Sequence, residues 1–290
     1  MQMLRLDEQL VDACQLGDAA DAQELLARGA SAQHLTAGGC SALVAASQRG
    51  HAACVSVLLK AHADPNAFAD PTSALLAACL NGHPQCVRLL LQNGAAPDAV
   101  ASRVPSAITV TPLMATCLEG HVECCQLLLE HLADANQSSG QGVTAMIAAC
   151  KSSSIGCVQI LSAYGASRGP ARGANVFDCR TAEEHARGCS PAIFEWLRMT
   201  RDWCTLLHHV TILPPTRTRA LLRNGADVHC AARLGAPTPI QLAHLQLSQS
   251  RGQSSLPSAI SAELLLRAAE HWSPSNHELF PHKASDHSWR

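Results

Sequence analysis

The sequence predicts an all-α repeat solenoid, a stack of helix-turn-helix units joined by short β-hairpin fingers. Three observations predict it. A Ser or Thr that opens a short apolar run recurs at Ser41, Ser73, Thr111, Thr144, Thr181, Thr205 and Thr238, most of these starts lying about 33 residues apart. Gly50-His51, Gly82-His83 and Gly120-His121 stand nine and ten residues after their starts, and the leucine pairs Leu58-Leu59, Leu89-Leu90 and Leu127-Leu128 follow. Each unit closes on Gly-Ala or its equivalent, at Gly29-Ala30, His62-Ala63, Gly94-Ala95, Leu132-Ala133, Gly165-Ala166 and Gly225-Ala226.

The stretch Thr111 to Asn136 explains the unit. Thr111-Pro112 opens a short helix, Gly120-His121 breaks it, and the spacing of Val122, Cys125, Leu128 and Leu129 suits a second helix packed antiparallel on the first. Neither helix buries its apolar face alone, so copies must stack on both sides. Because period and internal offsets recur together, the chain resembles the ankyrin-repeat family over roughly residues 7 to 270. That resemblance implies a right-handed helical solenoid with β-hairpin fingers, normally used to bind other proteins.

In chain order, residues 1–36 read as an N-terminal capping repeat, with Gly17-Asp18 in place of Gly-His and a polar Asp21 at a position buried in later units. Residues 37–168 hold four regular repeats. The His that the family carries three residues after the start is replaced by Val44, Leu76, Met114 and Ile147, so its hydrogen bonds must be absent or made otherwise. The finger from Asp98 to Val110 is about five residues longer than its neighbours, and a second extended finger, Ser167 to Arg180, is rich in Gly, Ala and Arg. Residues 169–270 are divergent repeats: a shortened unit from Thr181 to Leu197, a second helix over Thr216 to Asn224, and a last unit from Thr238 interrupted by a polar insert at 248–258, expected to be mobile, before a closing helix over Ser261 to Ala269. Residues 271–290 form an irregular tail similar, from Trp272 to Pro281, to a segment that follows such arrays.

Composition fits thin layers of small helices better than one deep core, since aromatics are only 3%. The net charge of -2 conceals a gradient, with -6 over residues 1–165 and +4 over residues 166–290. Arg217, Arg219 and Arg223 fall on one helix, yet acidic residues are interspersed and no aromatic interleaving occurs, so no nucleic-acid partner is expected. The start shows no signal-peptide pattern and no apolar run is long enough to span a bilayer, so no membrane partner and a cytoplasmic or nuclear location are expected.

Fourteen Cys and fifteen His raise the question of a metal. The repeat register answers most of it: Cys14, Cys79, Cys117 and Cys150 lie six residues after their starts and Cys54, Cys86, Cys124 and Cys157 thirteen after. These eight are expected to act as small core hydrophobes. Symmetry about the turn suggests that Cys79 with Cys86, Cys117 with Cys124, and Cys150 with Cys157 face each other across successive hairpins as close, unbonded thiols. Cys179, Cys189, Cys204 and His208 lack C-x-x-C spacing, so no metal or other cofactor is expected. No P-loop, G-x-S-x-G or H-E-x-x-H occurs, and Glu183-Glu184-His185 is expected to be a solvated helix face, so no enzymatic activity is expected. By the resemblance, His51, His83 and His121 should make hydrogen bonds between repeats.

The expected function is a non-catalytic protein-protein interaction scaffold, acting as a monomer on a protein partner. The variable positions seven after each start are Gln48, Leu80, Leu118 and Lys151; those just before a start include Thr72, Val110 and Val143. The resemblance places these positions in a concave groove, where Leu80, Leu118, Val110 and Val143 would form an apolar strip flanked by charge. Val100, Arg103, Val104 and Ile108 on the long finger complete the candidate contact set. The alternative is a substrate-recruiting adaptor of a cullin-type ubiquitin ligase, although no good match to a SOCS box is present.

Overall fold

A computed structural model describes residues 2–36, 39–67, 72–100, 110–139, 142–169, 181–201, 206–224, 226, 228, 236–249 and 256–271. The chain divides into two compact units, one of residues 1–161 with 166–194 and the other of residues 162–165 with 195–290.

The first unit is a succession of helix pairs: α1 (Gln2–Leu16) with α2 (Ala19–Ala27), α3 (Ala42–Arg49) with α4 (Ala52–Lys60), α5 (Ala74–Leu80) with α6 (Pro84–Gln92), α7 (Pro112–Glu119) with α8 (Val122–Glu130), and α9 (Ala145–Lys151) with α10 (Ile155–Ala163). α11 (Ala182–Cys189) follows, and α12 (Pro191–Met199) begins in this unit and ends in the second. The first helices pack in one row, α1 on α3 on α5 on α7 on α9 on α11, and the second helices pack in another, α2 on α4 on α6 on α8. Each helix is too short to be stable alone. Stacking into rows is what supplies the buried surface.

The recurring Ser or Thr is an N-cap. The hydroxyls of Ser41, Ser73, Thr111 and Thr144 accept hydrogen bonds from the backbone N–H of Val44, Leu76, Met114 and Ile147 at 3.2, 3.2, 3.1 and 3.4 Å. The four aliphatic residues that stand where the family has His are buried in the core. The polar connection missing from their side chains is therefore replaced, at this point, by apolar packing under a capped helix start. Each first helix of these units ends where the chain turns left-handed or near it, as at Gly50 with φ 80° and Gly120 with φ 77°.

Register columns run through the stack. Leu25, Leu58, Leu90, Leu128 and Leu161 lie seventeen residues after their starts and are all buried, four of them completely. One column toward the turn, fourteen after each start, Ala22, Val55, Val87, Cys125 and Val158 are likewise fully buried. The closing Gly-Ala position is a left-handed turn in which Gly29, Gly94 and Gly165 have φ of 96°, 86° and 82°. His62 and Leu132 adopt the same conformation with φ of 60° and 66°, although each carries a Cβ. Leu132 is also 81% exposed, so its side chain repays none of that strain. Replacing Leu132 with Gly is expected to stabilise the fold by about 1 kcal/mol, read as a higher urea midpoint; an unchanged or lower midpoint counts against the strain.

At two fingers the pairing is a single antiparallel bridge, Leu35 with Ser41 and Ser138 with Thr144, supported by Thr36 N–H to Cys40 O and Ser139 N–H to Val143 O, both 2.9 Å.

The second unit gathers a 3-10 turn (Leu206–His209), α13 (Pro215–Arg223), α14 (Pro239–Gln249) and α15 (Pro257–His271) around Leu207, Val210, Val228, Ala243, Ala262 and Leu265. α14 packs on α15 and on the 3-10 turn, and α13 packs on α15. The Arg217 guanidinium lies 4.2 Å above the Tyr164 ring. The polar insert expected at 248–258 is narrower than its sequence suggested, since Ser248 and Gln249 complete α14 while Pro257 and Ser258 begin α15. Pro at the first position explains the early start of α15. The closing helix is accordingly longer than Ser261 to Ala269.

Candidate functional site

Two ladders hold successive units in register, and both bear on the candidate surface. Along the helix turns, Nε2 of His51, His83 and His121 reaches the carbonyl oxygens of Gln15, Gln48 and Leu80 at 3.1, 3.2 and 3.2 Å. These are the hydrogen bonds between repeats that the sequence resemblance implied. Each imidazole also covers the glycine of the preceding unit: a Cβ added at Gly50 would come within 2.5 Å of the His83 ring. Gly and His of this dipeptide are thus coupled across the unit boundary rather than within one unit. At the next boundary the ladder changes partners, and Ser152 Oγ donates to Cys117 O at 2.6 Å.

The second ladder runs along the finger bases. The Gln33 amide donates to His62 O at 2.9 Å, the Asn66 amide donates to Gly94 O at 3.0 Å and its oxygen accepts from Ala96 N–H at 2.8 Å. Asp98 accepts from Asp134 N–H at 3.0 Å and Asn136 from Ser167 N–H at 2.7 Å. Gln33, Asn66, Asp98 and Asn136 all lie twenty-five residues after their starts.

The imidazole ladder runs along the residues seven after each start. Gln48, Leu80, Leu118 and Lys151 are all exposed, and they sit at one register position on the consecutive helices α3, α5, α7 and α9. Leu80 is 36% and Leu118 41% exposed, each directly following a fully buried cysteine. The row is held at its backbone, because the carbonyls of Gln48 and Leu80 are the ones engaged by His83 and His121. Val110 and Val143 are half-buried just before α7 and α9, as is Thr72 before α5. Val100 is half-buried at the base of the long finger, whereas Arg103, Val104 and Ile108 lie outside the described residues. Two further exposed aliphatic residues escaped the sequence reading: Leu16, 82% exposed at the end of α1, and Leu35, 44% exposed at the first finger. Their signal was a leucine at a place where the following units carry polar residues, Arg49, Asn81 and Glu119 for Leu16.

The described cysteines are free thiols, and their recorded neighbours differ from the pairs expected across single hairpins. Cys14 on α1 neighbours Cys54 on α4, Cys79 neighbours Cys124 and Cys125, and Cys117 meets Cys125 and Cys157. The sixth-position thiol of one unit therefore meets the thirteenth-position thiol of the next. Stacking between units decides the meetings of Cys14 with Cys54, Cys79 with Cys124 and Cys117 with Cys157, whereas Cys117 and Cys125 meet within one hairpin, α7 against α8. Burial pushes the thiols of Cys14, Cys124 and Cys150 up to about 12 and that of Cys86 to about 11. Cys157 moves the other way, drawn down chiefly by the neighbouring thiols of Cys117 and Cys125.

Of the looser set considered for zinc, Cys179 and Cys204 lie outside the described residues, Cys189 is exposed, and His208 is buried with Nε2 3.1 Å from Pro237 O. Glu183-Glu184-His185 is not a wholly solvated face. Glu184 completes a capping box with Thr181, and the next residue, His185, is buried. Among the described residues no helix is long and apolar enough to cross a membrane.

Compared with known families, the chain matches a family described as ankyrin repeats (3 copies), over residues 10–101 and 104–169, together more than half of its length. Among curated proteins no match was found.

Proposed function

The chain belongs to the ankyrin-repeat family, whose members are generally protein-protein interaction modules, and from that premise we propose that it is a non-catalytic scaffold that binds a protein partner through the row of Gln48, Leu80, Leu118 and Lys151 and the fingers beside it. The observation that carries the reading is the pair of exposed leucines at one register position on adjacent helices. Isolated surface aliphatics are ordinary. Two at the same offset, on elements whose backbone is pinned by the imidazole ladder, present a rigid apolar step that a partner can cover without first ordering it.

The flanks supply the polar rim. Gln48 precedes the leucines and Lys151 follows them, so the strip is apolar at its centre and hydrophilic at both ends. Val110 and Val143, already half-buried, extend the centre toward the fingers. A partner with a small apolar ridge, such as one helix face or one extended segment, suits a strip of this width.

The double substitution Leu80→Glu with Leu118→Glu places two charges where the centre would be desolvated, and it is expected to weaken partner capture at least tenfold while leaving the circular dichroism unchanged. Partners are identified by affinity purification with mass spectrometry from cells expressing either form. Identical partner sets at identical recovery would remove this surface from consideration. Recovery of cullin subunits in both would instead favour the ligase-adaptor reading.

A further inference from the structure

We infer that Cys117, Cys125 and Cys157 form a three-sulfur binding site for a soft monovalent metal ion, copper(I), at the boundary between the fourth and fifth repeats. The three sulfurs all lie within 4.8 Å of one another, Cys117 and Cys125 at 3.9 Å, and all three residues are completely buried. They come from three different helices, α7, α8 and α10.

The register explains why the cluster forms here. Thiols at the sixth and thirteenth positions meet between several units and make pairs, such as Cys14 with Cys54. A third sulfur needs a cysteine in the fourteenth-position column. Elsewhere that column holds Ala22, Val55, Val87 and Val158, and only the fourth repeat carries Cys125 there. A hydrophobe would fill the slot equally well, as the valines do. Core packing therefore does not require a thiol at this place, and the Cys124-Cys125 doublet is the sequence signal that marks it.

The size of the triangle selects the ion. The centre of a triangle with edges of 3.9 to 4.8 Å lies about 2.3 to 2.8 Å from its corners, against about 2.3 Å for a metal-thiolate bond, so a closure of a few tenths of an ångström completes the site. Thiolate ligands favour soft ions, among them copper(I) and zinc. Zinc closes a structural site with four ligands, and among the described residues no fourth His, Cys, Asp or Glu joins these three. Copper(I), content with three sulfurs, suits the dry enclosure better. Cys157 stands in the first turn of α10, beneath half-buried His121 and Ser154, so local opening of that turn provides the way in.

The test uses the full, reduced chain under anaerobic conditions, with copper(I) offered in competition with the chromophoric chelator bicinchoninate. The wild-type chain is expected to withdraw one tight equivalent. Cys125→Val, which installs the residue used in the same column by neighbouring repeats, is expected to weaken that equivalent at least tenfold without loss of helix content, and Cys157→Ala should do the same. Cys54→Ala, at another thiol pair, should leave it intact. Equal retention by Cys125→Val and wild type would overturn the site. X-ray absorption of the loaded wild-type chain should show three sulfurs at about 2.3 Å; a two-sulfur shell, or tighter retention of zinc(II) than of copper(I) against matched chelators, would overturn the assignment of the ion.

Discussion

Between pH 9 and pH 11 the first unit is expected to lose stability progressively, by several kcal/mol, on the order of what a typical domain holds. The cause is its buried thiols. Cys14, Cys86, Cys124 and Cys150 have an ordinary value of 9.0 and are held at about 11 to 12 in the fold, chiefly because burial disfavours the thiolate. A thiol raised in this way stabilises the folded chain fully below pH 9, where it is protonated folded or unfolded. Above pH 9 the unfolded chain releases the proton and the folded chain does not, so the advantage fades until the pH reaches the folded value. Each such thiol withdraws at most about 1.4 kcal/mol per pH unit in that window. Several acting together rival the 5–15 kcal/mol that holds a typical domain. Urea unfolding followed by circular dichroism at pH 7, 9, 10 and 11 should show a midpoint that is level to about pH 8 and then falls. Cys14→Ala with Cys150→Ala should flatten the fall, and a midpoint independent of pH up to 11 would contradict the burial argument.

Leu90→Ala is expected to cost about 2–5 kcal/mol, the range for removing a fully buried leucine and leaving part of its cavity. Leu90 lies in the middle of the column Leu58, Leu90 and Leu128, all completely buried, and its helix α6 packs on α4 before it and α8 behind it. A cavity there loosens two boundaries between units at once. Stability in a stack of this kind is a sum of unit and neighbour terms, so the change should also broaden the unfolding transition as the two sides begin to separate. Leu16→Ala, at an 82% exposed leucine, serves as the contrast and should stay within about 0.5 kcal/mol. Equal effects of the two substitutions would show that the register column does not form the core.

Much of the first unit is legible residue by residue. The starts at Ser41, Ser73, Thr111 and Thr144 are N-caps in the structure, and Gly50-His51, Gly82-His83 and Gly120-His121 each close one helix and open the next. Such features depend on hydrogen bonds a few residues long, so local sequence specifies them. The leucine pairs were ambiguous. Leu58-Leu59 is offset by one from Leu89-Leu90 and Leu127-Leu128, and only the stacked structure shows that Leu58, Leu90 and Leu128 share a column.

Contacts between units were less legible. The sequence suggested Cys117 facing Cys124 across one hairpin, whereas Cys117 meets the adjacent Cys125 within that hairpin and stacking adds Cys157 from the next unit. His185 read as solvated because its neighbours are charged, yet on α11 it is buried. Cys157 lies forty residues from Cys117 on a different unit, beyond the reach of periodicity.

The sequence by itself determined the unit: its length, its caps and turns, and the recurring seventh position of Gln48, Leu80, Leu118 and Lys151. A repeat writes those features into every copy, because each copy must satisfy its own backbone and hide its own apolar stripe. Only the tertiary structure decided what one unit presents to the next, namely the imidazoles over the preceding glycines, the amide ladder at the finger bases and the three converging sulfurs. Those depend on the stagger between neighbouring units, a distance and an angle that no single repeat encodes.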